Sequence, residues 1–115
     1  MGLTDFTYLE SITERDKEIT EELIGVFIEQ VPECISDLNK CFDEKDFSEL
    51  SRQAHKYKST VVIIGLSQTE QRLKYLELSI KEGLEDEEKI KMEIDKIEEE
   101  LLLALDEVND YLDTL

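Results

Sequence analysis

Residues 47–66 have the sequence FSELSRQAHKYKSTVVIIGL, and six apolar residues of this stretch are spaced alternately three and four apart. Such spacing brings side chains onto one face of an α-helix. Asp46, directly before the stretch, is a helix-capping residue, and Glu49 follows it at the position of a capping box. Gly65 is the residue type that often ends helices. The pattern predicts one amphipathic helix from Asp46 to Gly65, and its buried stripe comprises Phe47, Leu50, Ala54, Tyr57, Val61 and Ile64.

The rest of the chain carries the same helical pattern, with only one proline and four glycines to interrupt it. The pattern predicts a short helix at residues 6–12 and longer helices at residues 16–43, 67–81 and 86–112. Loops of about two to six residues leave no length for a crossover between long helices. We therefore predict an all-α fold, an antiparallel up-down-up-down four-helix bundle with a short additional N-terminal helix, as a single domain over residues 1–115.

The second predicted helix carries more apolar residues than one stripe requires. Its predicted buried stripe comprises Ile19, Leu23, Phe27, Val31, Cys34, Leu38 and Cys41. Ile24 and Ile28 lie outside that stripe. We therefore expect these two isoleucines on an exposed surface.

The chain carries 30 acidic and 13 basic residues, a formal net charge of −17. This charge opposes binding to nucleic-acid phosphates and to anionic lipid surfaces. The longest apolar runs, residues 61–64 and 101–105, are much shorter than the roughly 20 residues of a membrane-spanning helix. No charged-then-apolar signal segment opens the sequence. We expect a cytoplasmic monomer that binds neither nucleic acid nor membrane.

This chain has few residues that could bind a metal ion or form a disulfide. Cys34 and Cys41 are seven residues apart, about 10 Å along a helix, which is too far for an unstrained disulfide. Together with the single histidine, His55, they are too few for a tetrahedral zinc site unless carboxylates complete it. We therefore expect buried cysteines, no metal and no cofactor on this chain.

His55 lies beside the buried stripe of the third helix, and Lys58 follows it by three residues. Residues three apart on a helix project from one face, so Lys58 can reach a group attached to His55. If the third and fourth helices fold back on each other, the level of His55 falls near position 76 of the fourth helix. We therefore predict that Glu77 meets the imidazole ring. The alternative is that Glu77 pairs with Lys74 or Lys81 at helical spacing.

The motif Ala54-His55-x-x-Lys58, followed by Gly65-Leu66, resembles the centre of the histidine phosphotransfer (HPt) domain family. That family's pattern is roughly Ala-His-x-Leu-Lys-Gly with a later glycine. The similarity is not confined to the motif, since it extends from about residue 3 to about residue 108.

Other positions both support and depart from the family pattern. Residues 27–32 begin with phenylalanine and end with proline, and apolar residues follow them at helical spacing. This arrangement is similar to the family's second helix. Tyr57 stands where the family usually has leucine, a tolerable change in a core position if the hydroxyl finds a partner. Ser59 stands where the family usually has glycine.

The resemblance implies a phosphorelay intermediate. Such a protein accepts a phosphoryl group on histidine from the aspartyl-phosphate of a receiver domain and passes it to another receiver's aspartate. By position, His55 would be the phosphoacceptor, Lys58 would stabilise the phosphoryl charge, and Glu77 would orient the histidine ring. The implied partners are receiver domains of response regulators or hybrid histidine kinases, which supply the magnesium ion. The chain would be a phosphoryl carrier without autonomous catalysis, and therefore not an enzyme.

A receiver domain needs a docking surface beside the histidine. Ser59 and Val62 continue the face of His55 along the third helix at steps of three and four residues. Ile28 and Ile24 of the second helix add apolar surface, as a transient interface requires. We predict that these four residues dock the receiver.

Two other functions are compatible with the sequence. The acidic fifth helix has a near-heptad apolar stripe, which could serve a helical protein-interaction module, although most of its outward positions are charged. The chain could also be an inert phosphotransfer-like domain that binds receivers without carrying phosphate, with Ser59 as the reason. Transfer of phosphate from a phosphorylated receiver distinguishes the three hypotheses.

Overall fold

A computed structural model describes residues 2–83 and 86–115 of the chain, and these residues contain helices but no β-strand. The helices are α1 (Thr7–Thr13), α2 (Lys17–Asp43), α3 (Phe47–Val62), α4 (Ser67–Lys81) and α5 (Glu87–Leu112). All five predicted helices are confirmed, and their ends agree within one residue except that α3 ends three residues before Gly65. None of the described helices combines the length and the apolar composition needed to cross a membrane.

Aspartate caps begin the three longest helices. The side chains of Asp16, Asp46 and Asp86 each accept a hydrogen bond from the backbone N–H three residues later. These bonds satisfy donors that the first turn of a helix leaves unpaired. The start of each of these helices is therefore encoded locally in the sequence.

The turn between α3 and α4 depends on Gly65. Its φ angle is +69°, in the left-handed region that residues with a side chain rarely adopt. A Cβ atom at this position would lie 2.1 Å from the backbone oxygen of Asp5. The N–H of Gly65 donates to the carbonyl of Val62, and the N–H of Leu66 donates to that of Val61. Glycine is required here on both counts, and the turn folds α4 back along α3.

The four long helices pack in a ring around one core. α3 contacts α2 and α4, and α5 also contacts both α2 and α4, while the short α1 packs on α2. This arrangement confirms the predicted up-down-up-down bundle with an additional N-terminal helix. The largest fully buried side chains come from all five helices and from the α3–α4 turn: Tyr57, Phe27, Leu9, Ile24, Leu38, Leu50, Ile64, Leu66, Leu73, Leu76, Ile90 and Ile94.

The buried face of α2 differs from the prediction in its first two turns. Ile24 is fully buried and Thr20 nearly so, whereas Ile19 is 46 % exposed and Leu23 is only partly buried. Ile24 lies three residues and Leu23 four residues before the core residue Phe27. Both spacings fit one helix face, so periodicity alone does not show which of the two is buried. The packing of α1 makes the choice, because Thr20 Oγ1 lies 3.1 Å from its hydrogen-bond partner, the hydroxyl of Thr13 in α1.

Candidate functional site

His55 lies on the outer side of α3, in the helical turn whose inward residues are Ala54 and Tyr57. The side chain of His55 is 68 % exposed, whereas Ala54 and Tyr57 are buried in the core. The histidine is therefore open to a macromolecular partner while its helix is held by close packing.

Glu77 of α4 is the side chain against which the imidazole ring rests. Its Oε2 atom lies 2.8 Å from Nδ1 of His55. The same carboxylate makes two ion pairs, with Lys58 Nζ at 2.7 Å from Oε1 and Lys81 Nζ at 3.0 Å from Oε2. The Glu77 side chain is only 4 % exposed, so one buried carboxylate joins three polar side chains from two helices. The structure thus brings His55, Lys58 and Glu77 together, and Glu77 also makes the alternative ion pair with Lys81.

The register between α3 and α4 is fixed one turn before His55. Ser51, which is buried on α3, donates a hydrogen bond from its hydroxyl to the backbone carbonyl of Glu77 at 3.0 Å. This bond satisfies a buried polar group on each helix. Because it holds the backbone of Glu77 itself, it also sets the height at which the carboxylate meets the ring.

The pKa of Glu77 reflects two opposed effects. Burial raises it, but hydrogen bonds from Lys58 and Lys81 and the positive charge of Lys58 outweigh burial and hold the pKa at about 2, below its ordinary value of 4.5. Glu77 is therefore an anion at neutral pH, although water hardly reaches it.

This geometry specifies which ring nitrogen of His55 is free. An ionised carboxylate can only accept hydrogen bonds, so in the neutral ring the proton belongs on Nδ1, which faces Glu77. Nε2 then carries the lone pair on the far side of an exposed ring. A carboxylate that orients histidine in this way makes Nε2 available as a nucleophile.

Tyr57 satisfies its hydroxyl through α2. Its OH group donates to Oδ2 of Asp37 at 2.6 Å, while the ring is buried in the core. Burial and this hydrogen bond raise the pKa of Tyr57, so the phenol stays protonated. The tyrosine in place of the family's leucine is therefore accommodated. Sequence patterns did not point to Asp37, because its partner lies on another helix.

The predicted docking residues do not share one surface. Ile24 is fully buried, so the prediction that it offers a docking surface is wrong. Ile28 lines a groove between α2 and α5 and not the side of α2 that contacts α3, so its placement beside His55 is also wrong. Ser59 is exposed and Val62 is partly exposed on α3. The error at Ile24 belongs to the changed buried face in the first two turns of α2, whereas Ile28 was assigned to the wrong neighbouring helix, since it faces α5.

A different apolar opening lies beside Ser59. Leu23 and Val26 of α2, together with Gln30 and Ile63, line a space of about 190 Å³ between α2 and α3. Val26 is 45 % exposed. Leu23 was predicted to be buried and Val26 was not predicted as a surface residue. The signal in the sequence was the helical spacing of positions 23, 26 and 30.

The two cysteines lie in the core. Cys34 and Cys41 are buried and unbonded to each other. Burial raises the pKa of the Cys34 thiol to about 12, which keeps it protonated and a poor metal ligand. Within residues 2–83 and 86–115, no three His, Cys, Asp or Glu side chains lie together as a metal site would require.

Comparison with known proteins identifies the family. The sequence model of the Hpt domain matches residues 22–115. The fold is similar to the crystal structure of the HPT domain from a hybrid sensor histidine kinase of Shewanella, with a TM-score of 0.81, 16 % sequence identity and coverage of 98 % of this chain and 96 % of that one. No curated protein matches the sequence. The family model covers most of the chain, which therefore belongs to the Hpt domain family, the phosphotransfer modules of two-component phosphorelays.

Proposed function

We propose that this protein is a phosphorelay intermediate whose phosphoacceptor is Nε2 of His55. The observation that carries the proposal is the 2.8 Å contact between His55 Nδ1 and the buried Glu77 carboxylate, in a ring that is 68 % exposed. This combination orients a nucleophilic nitrogen toward solvent, where the aspartate of a receiver domain can approach.

The transfer of the phosphoryl group requires no proton donor or acceptor from this chain. Nε2 forms a bond to phosphorus as the bond between phosphorus and the receiver's aspartate oxygen breaks, and that electron pair leaves with the aspartate. Nδ1 keeps its proton, so the phosphorylated ring is positively charged and faces the Glu77 anion. Attack by a second receiver's aspartate reverses these steps and returns the pair to Nε2.

Lys58 is positioned to stabilise the phosphoryl group. It lies one helical turn from His55, and its ion pair with Glu77 holds the ammonium at the level of the ring. A cation there lowers the energy of the charge that develops on the phosphoryl oxygens. The magnesium ion of the reaction would come from the receiver domain, so this chain contributes a nucleophile and its positioning, and acts as a carrier without autonomous catalysis.

The receiver would dock across α2 and α3 next to the histidine. Ser59 on α3 borders a small opening lined by the partly exposed Leu23 and the exposed Val26 of α2, and Val62 follows Ser59 by three residues on α3. Apolar surface of this kind suits a transient interface. The cytoplasmic location and the monomeric state expected from the sequence stay predictions.

The test is transfer of labelled phosphate from a phosphorylated receiver domain. Wild-type protein should take up acid-labile label, and His55→Gln should take up none while its unfolding free energy changes by about 0.5 kcal/mol or less, since the side chain is exposed. Retained labelling of His55→Gln would refute the assignment.

The same assay distinguishes a phosphoryl carrier from an inert domain that only binds receivers. Receiver binding by the wild-type protein without any labelling would favour a domain that binds receivers but carries no phosphate. Ser59→Gly is the matched variant, because the Ser59 hydroxyl bonds only within its own helix, to the carbonyl of Lys56. We expect this variant to transfer as fast as wild type or faster, and slower transfer would give the serine a positive role.

A further inference from the structure

A second apolar surface lies between α2 and α5. It is a groove of about 570 Å³, and its apolar lining consists of Ile28, Val31, Pro32, Ile35, Leu102 and Leu105. Neither α3 nor α4 contributes to this lining, so the groove is separate from the face that carries His55. A surface of this size and composition is typical of a binding site for an apolar side chain or helix face.

The lining residues form two parallel ridges. Ile28, Pro32 and Ile35 are spaced four and three residues apart on α2, and Leu102 and Leu105 are spaced three apart on the antiparallel α5. Two such ridges leave a trough along the helix axes, which fits the knobs of a third helix at positions i, i+4 and i+7. Pro32 has no N–H, so the carbonyl of Ile28 lacks its usual helical donor.

Acidic residues predominate around the groove, although Lys91 reaches one end of it, where its Nζ atom contacts Asn39 and Asn39 contacts Glu98. Exposed carboxylates directly follow three of the lining residues: Glu29 follows Ile28, Glu33 follows Pro32 and Asp106 follows Leu105. Glu98 itself lines the groove. An apolar trough between two acidic helix faces is complementary to a helix with an apolar stripe and basic flanks.

The same charges disfavour other occupants. A second copy of this chain would bring two acidic surfaces together, and an anionic lipid surface would be repelled by them. A basic helix would bury its apolar stripe in the groove, and its lysine or arginine side chains would be attracted to the carboxylates beside the groove, such as Glu98.

We propose that the α2–α5 groove binds a basic amphipathic helix of another protein. The interaction is independent of phosphoryl transfer, because the groove and His55 lie on different pairs of helices. A partner held there would leave the histidine free for receiver domains.

The experiment uses a fluorescein-labelled peptide with leucines at i, i+4 and i+7 and lysine or alanine elsewhere, titrated with the full chain and followed by anisotropy. A peptide with glutamate in place of every lysine is the charge control. Leu102→Gln and Leu103→Gln are the protein variants, since these neighbours are 50 % and 48 % exposed but only Leu102 lines the groove. Circular dichroism checks that both variants stay folded.

We expect saturable binding of the lysine peptide, with Leu102→Gln raising Kd about tenfold and Leu103→Gln changing it less than about twofold. The glutamate peptide should not bind. Amide NMR shifts on binding should map to α2 and α5. Equal Kd values for the two variants, equal binding of both peptides, shifts centred on His55, or no binding of the lysine peptide would each overturn the proposal.

Discussion

Glu77→Gln should remove the part of the folding stability that is sensitive to acid at the contact between α3 and α4. Glutamine keeps the size of the side chain and one carbonyl acceptor, so the packing of the buried group is preserved. It removes the charge that pairs with Lys58 and Lys81. The two lysines can turn to solvent in the variant, because Lys81 is 61 % and Lys58 25 % exposed.

The size of the effect follows from the lowered pKa of Glu77. In the folded protein this pKa is about 2, against an ordinary value of 4.5 that applies to the unfolded chain. At about 1.4 kcal/mol per pKa unit, the difference corresponds to about 3 kcal/mol. Because the folded pKa is the lower one, this stability is fully present above about pH 5 and is lost as the pH falls toward 2.

Urea unfolding followed by circular dichroism, repeated from about pH 7 to about pH 2, measures this contribution. The free energy of unfolding of wild type minus that of Glu77→Gln should be constant above about pH 5 and fall by about 3 kcal/mol by pH 2. Glu82→Gln is the control, because Glu82 is exposed at the end of α4 and its replacement should leave the pH profile nearly unchanged. A flat difference between wild type and Glu77→Gln would refute the reasoning.

Three further predictions concern residues around the site. Lys58→Ala should slow phosphoryl transfer about tenfold or more while the protein still folds, and an unchanged rate in a transfer time course would show that Lys58 is only a surface lysine. Val62→Asp should weaken receiver binding, measured by titration calorimetry, more than it lowers thermal stability; unfolding of the variant would place Val62 in the core. Gly65→Ala should lower the free energy of unfolding by more than about 1 kcal/mol, because its φ is +69° and its Cβ would meet the Asp5 backbone; a melting temperature equal to wild type would contradict this account of the turn.

The sequence by itself determined the elements of this fold. Caps such as Asp46 and the regular stripe of α3 are signals within one helix, so the helix starts and the exposed position of His55 follow from local chemistry. The turn at Gly65 and the near-equal spacing on either side of it also place Glu77 at the level of His55. These features depend on bonds and distances along one chain segment or one tight turn.

Only the tertiary structure decided which face α2 buries in its first two turns. Steps of three and four residues are equally helical, so α2 could bury Leu23 or Ile24. Ile24 is the buried residue, and Thr20, one turn before it, contacts Thr13 of α1. The tertiary structure also decided that Ile28 faces α5, because periodicity does not say which neighbouring helix lies beside each edge of the buried stripe. Periodicity defines an apolar face only to within about one residue, whereas burial depends on which neighbour covers that face.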